Sequence, residues 1–347
     1  MKNRFNHDLN QMSTDDVRHE LFLEDLERNR FHHYRQQIKK DWPLYAMLIP
    51  AILFFLIFRY MPIYGILSAF KDQRVLTISI GESPFSGFYA FRSLVIGDYA
   101  QDFWQAFRNT FAISMYGLIF GFPVPIILAL FFSEIKSDVY RSIVQILSYL
   151  PKFISTVVIT SIITLMLFGG NEPHQAPGVL AQLFMAIGLV PEGTRIILEP
   201  QYFRSIYIIS GIWEGAGYGS IVYFAAVMSI SPTNYEAARI DGASKLAQIR
   251  YVTLPGMAPT LTIMLILRIG EILSVGYEKV ILLYNVETYS TADVISTFVA
   301  RVGGLMDPSG SILNVAASAD LFNSIIAMFL VIGANFISRR VSDTSLF

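Results

Sequence analysis

The chain has few reactive or charged side chains for its 347 residues. It has no cysteine, which excludes disulfides and thiolate metal sites. Only 15% of its residues are charged, whereas soluble domains carry about 25%. Its net charge of −1 argues against a nucleic-acid partner. The mean hydropathy of +0.48, with 53% aliphatic and aromatic residues, instead predicts a membrane protein.

Sequence signals for catalysis are also missing. There is no G-x-x-x-x-G-K-[ST] motif to cradle ATP phosphates. Four of the five histidines lie within the first 33 residues, and His174 stands alone, so no metal site is predicted. We therefore expect no enzymatic activity and no cofactor in this chain. No signal peptide is expected, because the first apolar run begins near residue 44 and is long enough to remain as a membrane span.

Six apolar segments approach the roughly 20 residues that a membrane-spanning helix needs. They are residues 44–70, 110–132, 143–168, 205–228, 257–274 and 321–337. Leu150-Pro151-Lys152 interrupts the third, so this segment is compatible with a separate surface helix at its start. The fifth is short and is compatible with an extension to about Leu283. The fold class expected is an all-α membrane protein with six transmembrane helices.

Basic residues indicate the orientation. With the N-terminus inside, 15 of the 26 Lys and Arg residues fall in the inside segments and 8 in the outside segments. The positive-inside rule then places both termini and the loop 231–255 in the cytoplasm. The chain divides into a cytoplasmic tail, 1–41, and a transmembrane domain, 42–347. The tail reads as a solvated segment with an interfacial anchor or as a regulatory contact.

The loop 231–255 is polar but carries signals of ordered structure. Pro232 suits the first turn of a helix, and Thr233 with Glu236 fits a T-x-x-E capping box. Asp241-Gly242 is expected to break that helix, because glycine readily takes positive φ. A second short helix over 244–251 is expected to stop before Pro255.

This loop resembles the cytoplasmic coupling loop of the permease subunits of binding-protein-dependent ABC importers. The residues that carry the likeness are Glu236, Ala237, Ala238, Gly242, Val252, Leu254 and Pro255. Further stretches resemble the maltose-permease-like branch, which handles oligosaccharides and polysaccharide fragments: 41–45, 60–62, 69–72, 103–104, 108–110, 149–151, 153–155, 235–238 and 241–243. Ser296 and Phe298 depart from the Asp and Tyr that are commoner in this branch.

The resemblance implies a type I ABC importer permease fold with a cytoplasmic coupling helix, in the cytoplasmic membrane. It implies ABC ATPase subunits that use the ATP, a second permease, most often a different chain, and an extracytoplasmic solute-binding protein. Membrane lipid is the remaining partner. The ATPase-coupling residues would be Glu236, Ala237, Ala238, Asp241, Gly242, Ala243, Leu254 and Pro255. Glu236 equally fits a role as a cap of its own helix.

Polar residues inside spans are costly and tend to face a cavity or a partner. Arg268 and Glu271 lie three residues apart, so they fit either a self-satisfied ion pair or part of a substrate path. Glu214, with Trp213 and Tyr218 on the same segment, fits a sugar contact, although the aromatic residues also fit simple packing. Glycines at 211, 215 and 219 recur every four residues and predict close helix packing.

Three other functions stay open at this level. The same machine would serve a non-sugar solute, because the binding protein, which is a separate chain, determines much of the cargo choice. An ion-coupled secondary transporter would show inverted repeats and paired intramembrane carboxylates, and neither stands out. A membrane-embedded enzyme would need a clustered catalytic set.

Overall fold

The computed structural model describes residues 37–72, 79–168, 177–306 and 311–341. Most of the predicted tail, residues 1–36, lies outside the described residues. The chain divides into two compact units between Gly65 and Ile66. All regular secondary structure within the described residues is helical. One isolated antiparallel β-bridge joins Lys71 and Phe85. The expected all-α class is confirmed.

The first unit contributes most of helix α1, Trp42–Phe70, which continues past the unit boundary. It is α-helical over Trp42–Phe55, makes a π turn over Leu56–Tyr60 and ends as a 3-10 helix over Met61–Phe70. Its mean hydropathy of 2.0 over an 18-residue window matches a membrane span. The predicted segment 44–70 therefore forms one helix of the expected length.

The second unit begins with α2, Tyr89–Val95, and α3, Ala100–Glu134. Helix α3 has 35 residues and a mean hydropathy of 2.1 in its most apolar window, so it contains the predicted span 110–132. A π turn over Gly117–Gly121 lies just before Pro123. Such a turn fits the missing N–H of proline, which cannot bond to the carbonyl one turn earlier.

The third apolar segment forms two helices that meet at a sharp bend. Helix α4, Asp138–Phe153, ends in a 3-10 turn and is followed by α5, Thr156–Phe168, at an angle of 97°. The Ser137 side chain accepts a hydrogen bond from the Tyr140 N–H and caps α4. The separate helix expected at the start of this segment is thus confirmed.

Helix α6, Val179–Ala186, and a 3-10 turn, Ile196–Leu198, precede the long helix α7, Pro200–Met228. Helix α7 has 29 residues, about 43 Å at 1.5 Å per residue. It contains the predicted span 205–228 but is less apolar than the spans above, since it carries Arg204 and Glu214.

Two short helices follow, α8, Pro232–Ile240, and α9, Lys245–Gly256. Helix α10, Ala258–Gly270, leaves α9 at 66°. It ends before the predicted limit of 274, and a break over 271–276 separates it from α11, Tyr277–Leu283. The fifth span therefore does not run on to Leu283 as one helix.

The last elements of the described chain are α12, Tyr289–Ala292, α13, Ile295–Val302, and α14, Leu313–Val341. Helix α14 contains the predicted span 321–337. Within the described residues, three helices are long and apolar enough to cross a membrane, or five if each bent pair is one span. Six membrane spans, the number expected from the sequence, are reached only if α7 is counted in addition to these five.

A buried hydrophobic cluster joins α2, α3, α13 and α14. The rings of Phe103 and Phe298 lie 6.0 Å apart, and both side chains are fully buried. Phe322 packs edge-on against Phe103 at 5.4 Å. The apolar surroundings of Phe298 suit a ring without a hydroxyl, because a buried hydroxyl is costly without a hydrogen-bond partner.

A buried polar network fixes α3 against the segment that precedes α13. The Asn109 side-chain amide donates to the carbonyls of Ser290 and Asp293, at 3.0 and 2.9 Å. The Asp293 carboxylate lies fully buried and accepts two hydrogen bonds of 3.1 Å from Arg301. Burial raises the pKa of Asp293 to about 7, while a hydrogen bond from Thr297 favours the charged form.

Close helix packing on α7 occurs at Gly217. A Cβ added there would lie 1.9 Å from the carbonyl oxygen of Ser148 on α4. A Cβ on Gly215 would meet nothing within 4 Å, and one on Gly219 would make ordinary contact with Pro125. The predicted packing role of the every-fourth glycines is therefore wrong for Gly215, and the close approach occurs two residues away from that row, on another face of the helix.

We predict that Gly217→Ala destabilises the protein by about 1–3 kcal/mol, the usual cost of overpacking. Gly215→Ala is the matched control, since it changes the same residue type in the same helix at an open position. Circular dichroism melting in detergent would measure both variants. Equal melting temperatures for the two would contradict this packing assignment.

Candidate functional site: an interior cavity and the loop 231–255

A cavity of about 600 Å³ opens inside the second unit, beside the middle of α7. Three glycines of the predicted row, Gly211, Gly215 and Gly219, face it from α7. Glycine has no side chain beyond hydrogen, so these positions leave open a volume that larger side chains would fill. The row that the sequence indicated for helix packing thus lines the cavity. The remaining wall comes from α3, α10, α11 and the 3-10 turn that ends α4.

Glu214 carries the central charge of this cavity. Its Oε2 lies 3.0 Å from the Nζ of Lys279, and its Oε1 lies 3.8 Å from the Nζ of Lys152. The side chains of Glu214 and Lys279 are only 16% and 10% exposed, whereas that of Lys152 is 48% exposed. The carboxylate is therefore held between one buried and one accessible ammonium group. Lys279 also lies 5.5 Å from the ring centre of Tyr207.

Arg268 and Glu271 also line the cavity, as the sequence suggested. Both residues lie in the described part of the chain, and the structure shows no ion pair between them. Arg268 instead points its guanidinium towards α3, with Nη2 3.5 Å from the place of a Cβ on Gly117. The helix ends at Gly270, so the two residues no longer share the regular face that a spacing of three assumes.

The two predicted aromatic contacts lie elsewhere. Trp213 lines a separate apolar cavity of about 450 Å³, between α5, α6 and α7. It follows from helix geometry that neighbours on α7 point about 100° apart, which separates Trp213 from Glu214. Tyr218 packs edge-on against Phe153, with ring centres 6.0 Å apart. The structure therefore does not bring Trp213 and Tyr218 to the charged cavity.

Sequence reasoning missed Lys152 and Lys279 as residues of this site. Lys152 belongs to the break in the third apolar segment, and Lys279 lies beyond residue 274, where the fifth segment ends. An unpaired carboxylate in the middle of a long helix was the available signal, since such a group needs a cation nearby.

The loop 231–255 forms the expected helix, bend and helix. Ser231, not Thr233, occupies the N-cap position, and its hydroxyl lies 2.6 Å from that of Thr233. The predicted capping box of Thr233 and Glu236 is wrong, because Pro232 takes the first helical position and places Thr233 inside the helix.

The bend at Gly242 is a complete helix C-cap. Gly242 has φ of +78°, and its N–H donates to the Arg239 carbonyl at 3.1 Å. The Ala243 N–H donates to the Ala238 carbonyl at 2.9 Å. These two bonds form the Schellman motif, which requires a residue with positive φ at this position. The predicted break at Asp241-Gly242 is confirmed.

Helix α9 begins with a cap from Ser244 and passes through a π turn, Ile249–Thr253. It continues to Gly256, so the prediction that it stops before Pro255 is wrong. The π turn changes the local hydrogen-bond register ahead of the proline, which lacks an N–H. Leu254 and Pro255 lie on the exposed side of this last turn.

Contacts between separate elements hold the loop in shape. The hydroxyls of Tyr235 and Thr253 lie 3.1 Å apart and join α8 to α9. Lys245 forms a 2.6 Å ion pair with Glu134 at the end of α3.

The outer surface of this loop is accessible. Glu236, Ala237, Asp241 and Gly242 are exposed, and Ala238 and Ala243 are half-buried. Three large apolar side chains also protrude into solvent, with Ile240, Leu246 and Tyr251 at 86%, 76% and 71% exposure. Exposed apolar groups on a polar loop are candidates for contact with another protein.

The fold and these two sites define an α-helical membrane transport component. Residues 121–277 match the family described as "Binding-protein-dependent transport system inner membrane component". Over 310 residues the chain is 34% identical to protein LplB of Bacillus subtilis, covering 89% of this chain and 92% of LplB. The chain therefore belongs to this family of ABC transporter permeases.

Another relative agrees in length, and a solved structure agrees in fold. The polygalacturonan/rhamnogalacturonan transport system permease protein YteP of Bacillus subtilis is 31% identical, over 88% of this chain and 90% of YteP. A solved bacterial ABC transporter involved in the import of the acidic polysaccharide alginate has a chain 41% identical, with a TM-score of 0.77. That match covers 89% of this chain and 99% of the solved chain. The expected ABC importer permease fold is confirmed.

We predict that Glu214→Leu lowers the stability of the protein by about 3 kcal/mol, because it leaves the buried Lys279 ammonium unpaired. Adding Lys279→Met to that variant should restore most of the loss, since both charges are then gone. Glu271→Leu is the matched control, as it removes an exposed carboxylate from the same cavity. Melting in detergent by circular dichroism would compare them. A Glu214→Leu variant as stable as Glu271→Leu would contradict the importance of the ion pair.

Proposed function

We propose that this permease moves a carbohydrate, an oligosaccharide or polysaccharide fragment, inward across the cytoplasmic membrane. Separate ATPase subunits would hydrolyse the ATP, a solute-binding protein would deliver the cargo from outside, and a second permease would complete the pathway. The names of the relatives support a carbohydrate cargo, since they refer to polygalacturonan, rhamnogalacturonan and alginate. The distribution of Lys and Arg supports cytoplasmic termini.

One structural observation carries the coupling part of this proposal. The loop 231–255 is attached at both ends to elements that line the charged cavity. Helix α7, which carries Glu214, ends three residues before α8 begins. At the other end, α9 leads into α10, which carries Arg268 near its end. A displacement of the loop would therefore act directly on two walls of the cavity.

The exposed surface of the loop is then the contact for an ATPase. Ala237 and Ala238 are small enough to allow close approach, and Glu236 and Asp241 offer accessible carboxylates. Ile240 and Leu246 supply apolar area that would be buried in the contact. Within this proposal Gly242 positions these groups, since its C-cap sets the direction of the chain between α8 and α9.

The chain itself would have no catalytic activity. The ATP would be bound and hydrolysed on a partner chain. A carbohydrate cargo is favoured over another solute by the relatives' names, and over ion-coupled transport by the family, whose members work with a binding protein.

We predict that Gly242→Asp uncouples transport without removing the chain from the membrane. A side chain at positive φ costs about 1–2 kcal/mol, and the added carboxylate lies beside Asp241 on the contact surface. We expect recovery of the ATPase in a pull-down to fall about tenfold, the effect of some 1.4 kcal/mol. Uptake should fall with it.

Gly188→Asp is the matched control for this test. Gly188 also has positive φ, at +74°, and a Cβ there meets nothing within 4 Å, as at Gly242. It therefore carries the same backbone cost outside the loop. Normal uptake and ATPase recovery in a correctly inserted Gly242→Asp variant would rule out the proposed contact.

A further inference from the structure

The charged cavity has more cations than anions. Three cationic side chains line it, from Lys152, Arg268 and Lys279, against the two carboxylates of Glu214 and Glu271. Each cation comes from a different element, so the excess is not the accident of one helix face. Charges inside a membrane are costly to retain. An excess of one sign in a water-accessible cavity therefore calls for a ligand of the other sign.

The ion pairs within the cavity strengthen the case for a negatively charged ligand. Glu214 accepts from Lys279 at 3.0 Å and lies 3.8 Å from Lys152, so its negative charge is already compensated within the cavity. Arg268 has no carboxylate within ion-pair distance in the described part of the chain. Its guanidinium presents a fork of donors that matches the two oxygens of a carboxylate.

The three cations also differ in accessibility. Lys279 is nearly buried and remains with Glu214, whereas Lys152 is 48% exposed and its contact with Glu214 is long. Arg268 is exposed to the cavity. Lys152 and Arg268 are therefore the groups that are free to reach a ligand. Glu214 is a positioning residue, which holds the ammonium groups at the cavity wall.

We propose that this cavity takes a carboxylate-bearing sugar, an oligosaccharide of uronic acid units, with Arg268 and Lys152 as its contacts for the carboxylates. This inference rests on the proposed carbohydrate function and adds the substrate class and the residues. The cavity's excess of one positive charge favours a sugar that carries a carboxylate over a neutral sugar, which brings no charge to balance it. The alginate importer, whose cargo is described as acidic, agrees with this chemistry.

Direct binding to the assembled importer tests the proposal. The complete complex, with its ATPase and second permease, would be placed in lipid nanodiscs and titrated calorimetrically. The probes are trigalacturonate and the neutral trigalactoside of the same linkage, obtained by reducing its carboxyl groups. We expect the acidic sugar to bind at least tenfold more tightly, and the difference to shrink at high salt.

Variants separate the cavity from other charges. Arg268→Gln should weaken trigalacturonate binding about tenfold, the loss of one charge-assisted contact, and Arg268→Lys should recover part of it. Lys152→Gln should act in the same direction. Lys136→Gln removes an exposed lysine outside the cavity and should leave the binding unchanged.

The remaining outcomes are distinguishable. Equal binding of both sugars, or tighter binding of the neutral one, would overturn the substrate class and leave the carbohydrate function intact. A preference for the acidic sugar that survives Arg268→Gln and Lys152→Gln would overturn the assignment of these residues. If neither sugar binds a complex that retains its ATPase, the substrate proposal and the carbohydrate function both fail.

Discussion

A carboxylate in the middle of a long helix sets the main constraint on this structure. Glu214 lies half-way along α7, and an unpaired charge at that depth would cost several kcal/mol. Lys279 and Lys152 supply the compensation, one from a short helix after the break in the fifth apolar segment and one from the bend in the third. The break after α10 and the bend between α4 and α5 thus bring lysine side chains next to the Glu214 carboxylate.

The glycines of α7 divide that helix into faces with different tasks. Gly217 lets the helix touch the backbone of α4, because any side chain there would collide with the Ser148 carbonyl. Gly211 and Gly215 line the cavity, and a Cβ on Gly215 would meet nothing within 4 Å. Two uses of glycine, close packing and vacant volume, therefore alternate along the same turns. A change at either kind of position alters a different property, stability in one case and cavity shape in the other.

The sequence predicted correctly those features that depend on a short stretch of chain. Apolar length predicted α1, α3 and α14, and the requirement for positive φ predicted the bend at Gly242. The prediction placed the N-cap at Thr233, whereas it is Ser231. Both residues carry a hydroxyl and flank Pro232, and only the preference of proline for the first helical turn identifies Ser231 as the cap.

What the sequence alone did not predict depends on tertiary contacts. Lys279 lies 65 residues from Glu214, and nothing in a periodic pattern joins them. The continuation of α9 through Pro255 depends on a π turn, which no simple residue pattern marks. The close packing at Gly217 depends on the position of α4, which the sequence does not give. The glycines at every fourth residue form a visible pattern, whereas the single glycine that makes the contact does not.

Stiffness of the loop 231–255 decides whether it can act on the cavity. A flexible tether would absorb a push from a partner in its own backbone rotations. Here the C-cap at Gly242, the contact of Tyr235 with Thr253 and the ion pair of Lys245 with Glu134 restrict those rotations.

In the proposed function, a force on α8 would therefore be passed to α7 and α10 as a movement of whole helices. Those helices carry Glu214 and Arg268, so such a movement changes the spacing of the charges in the cavity. If the proposed function and substrate hold, binding of an anionic ligand and contact with an ATPase would thereby be linked through a short connection, with no longer pathway through the protein.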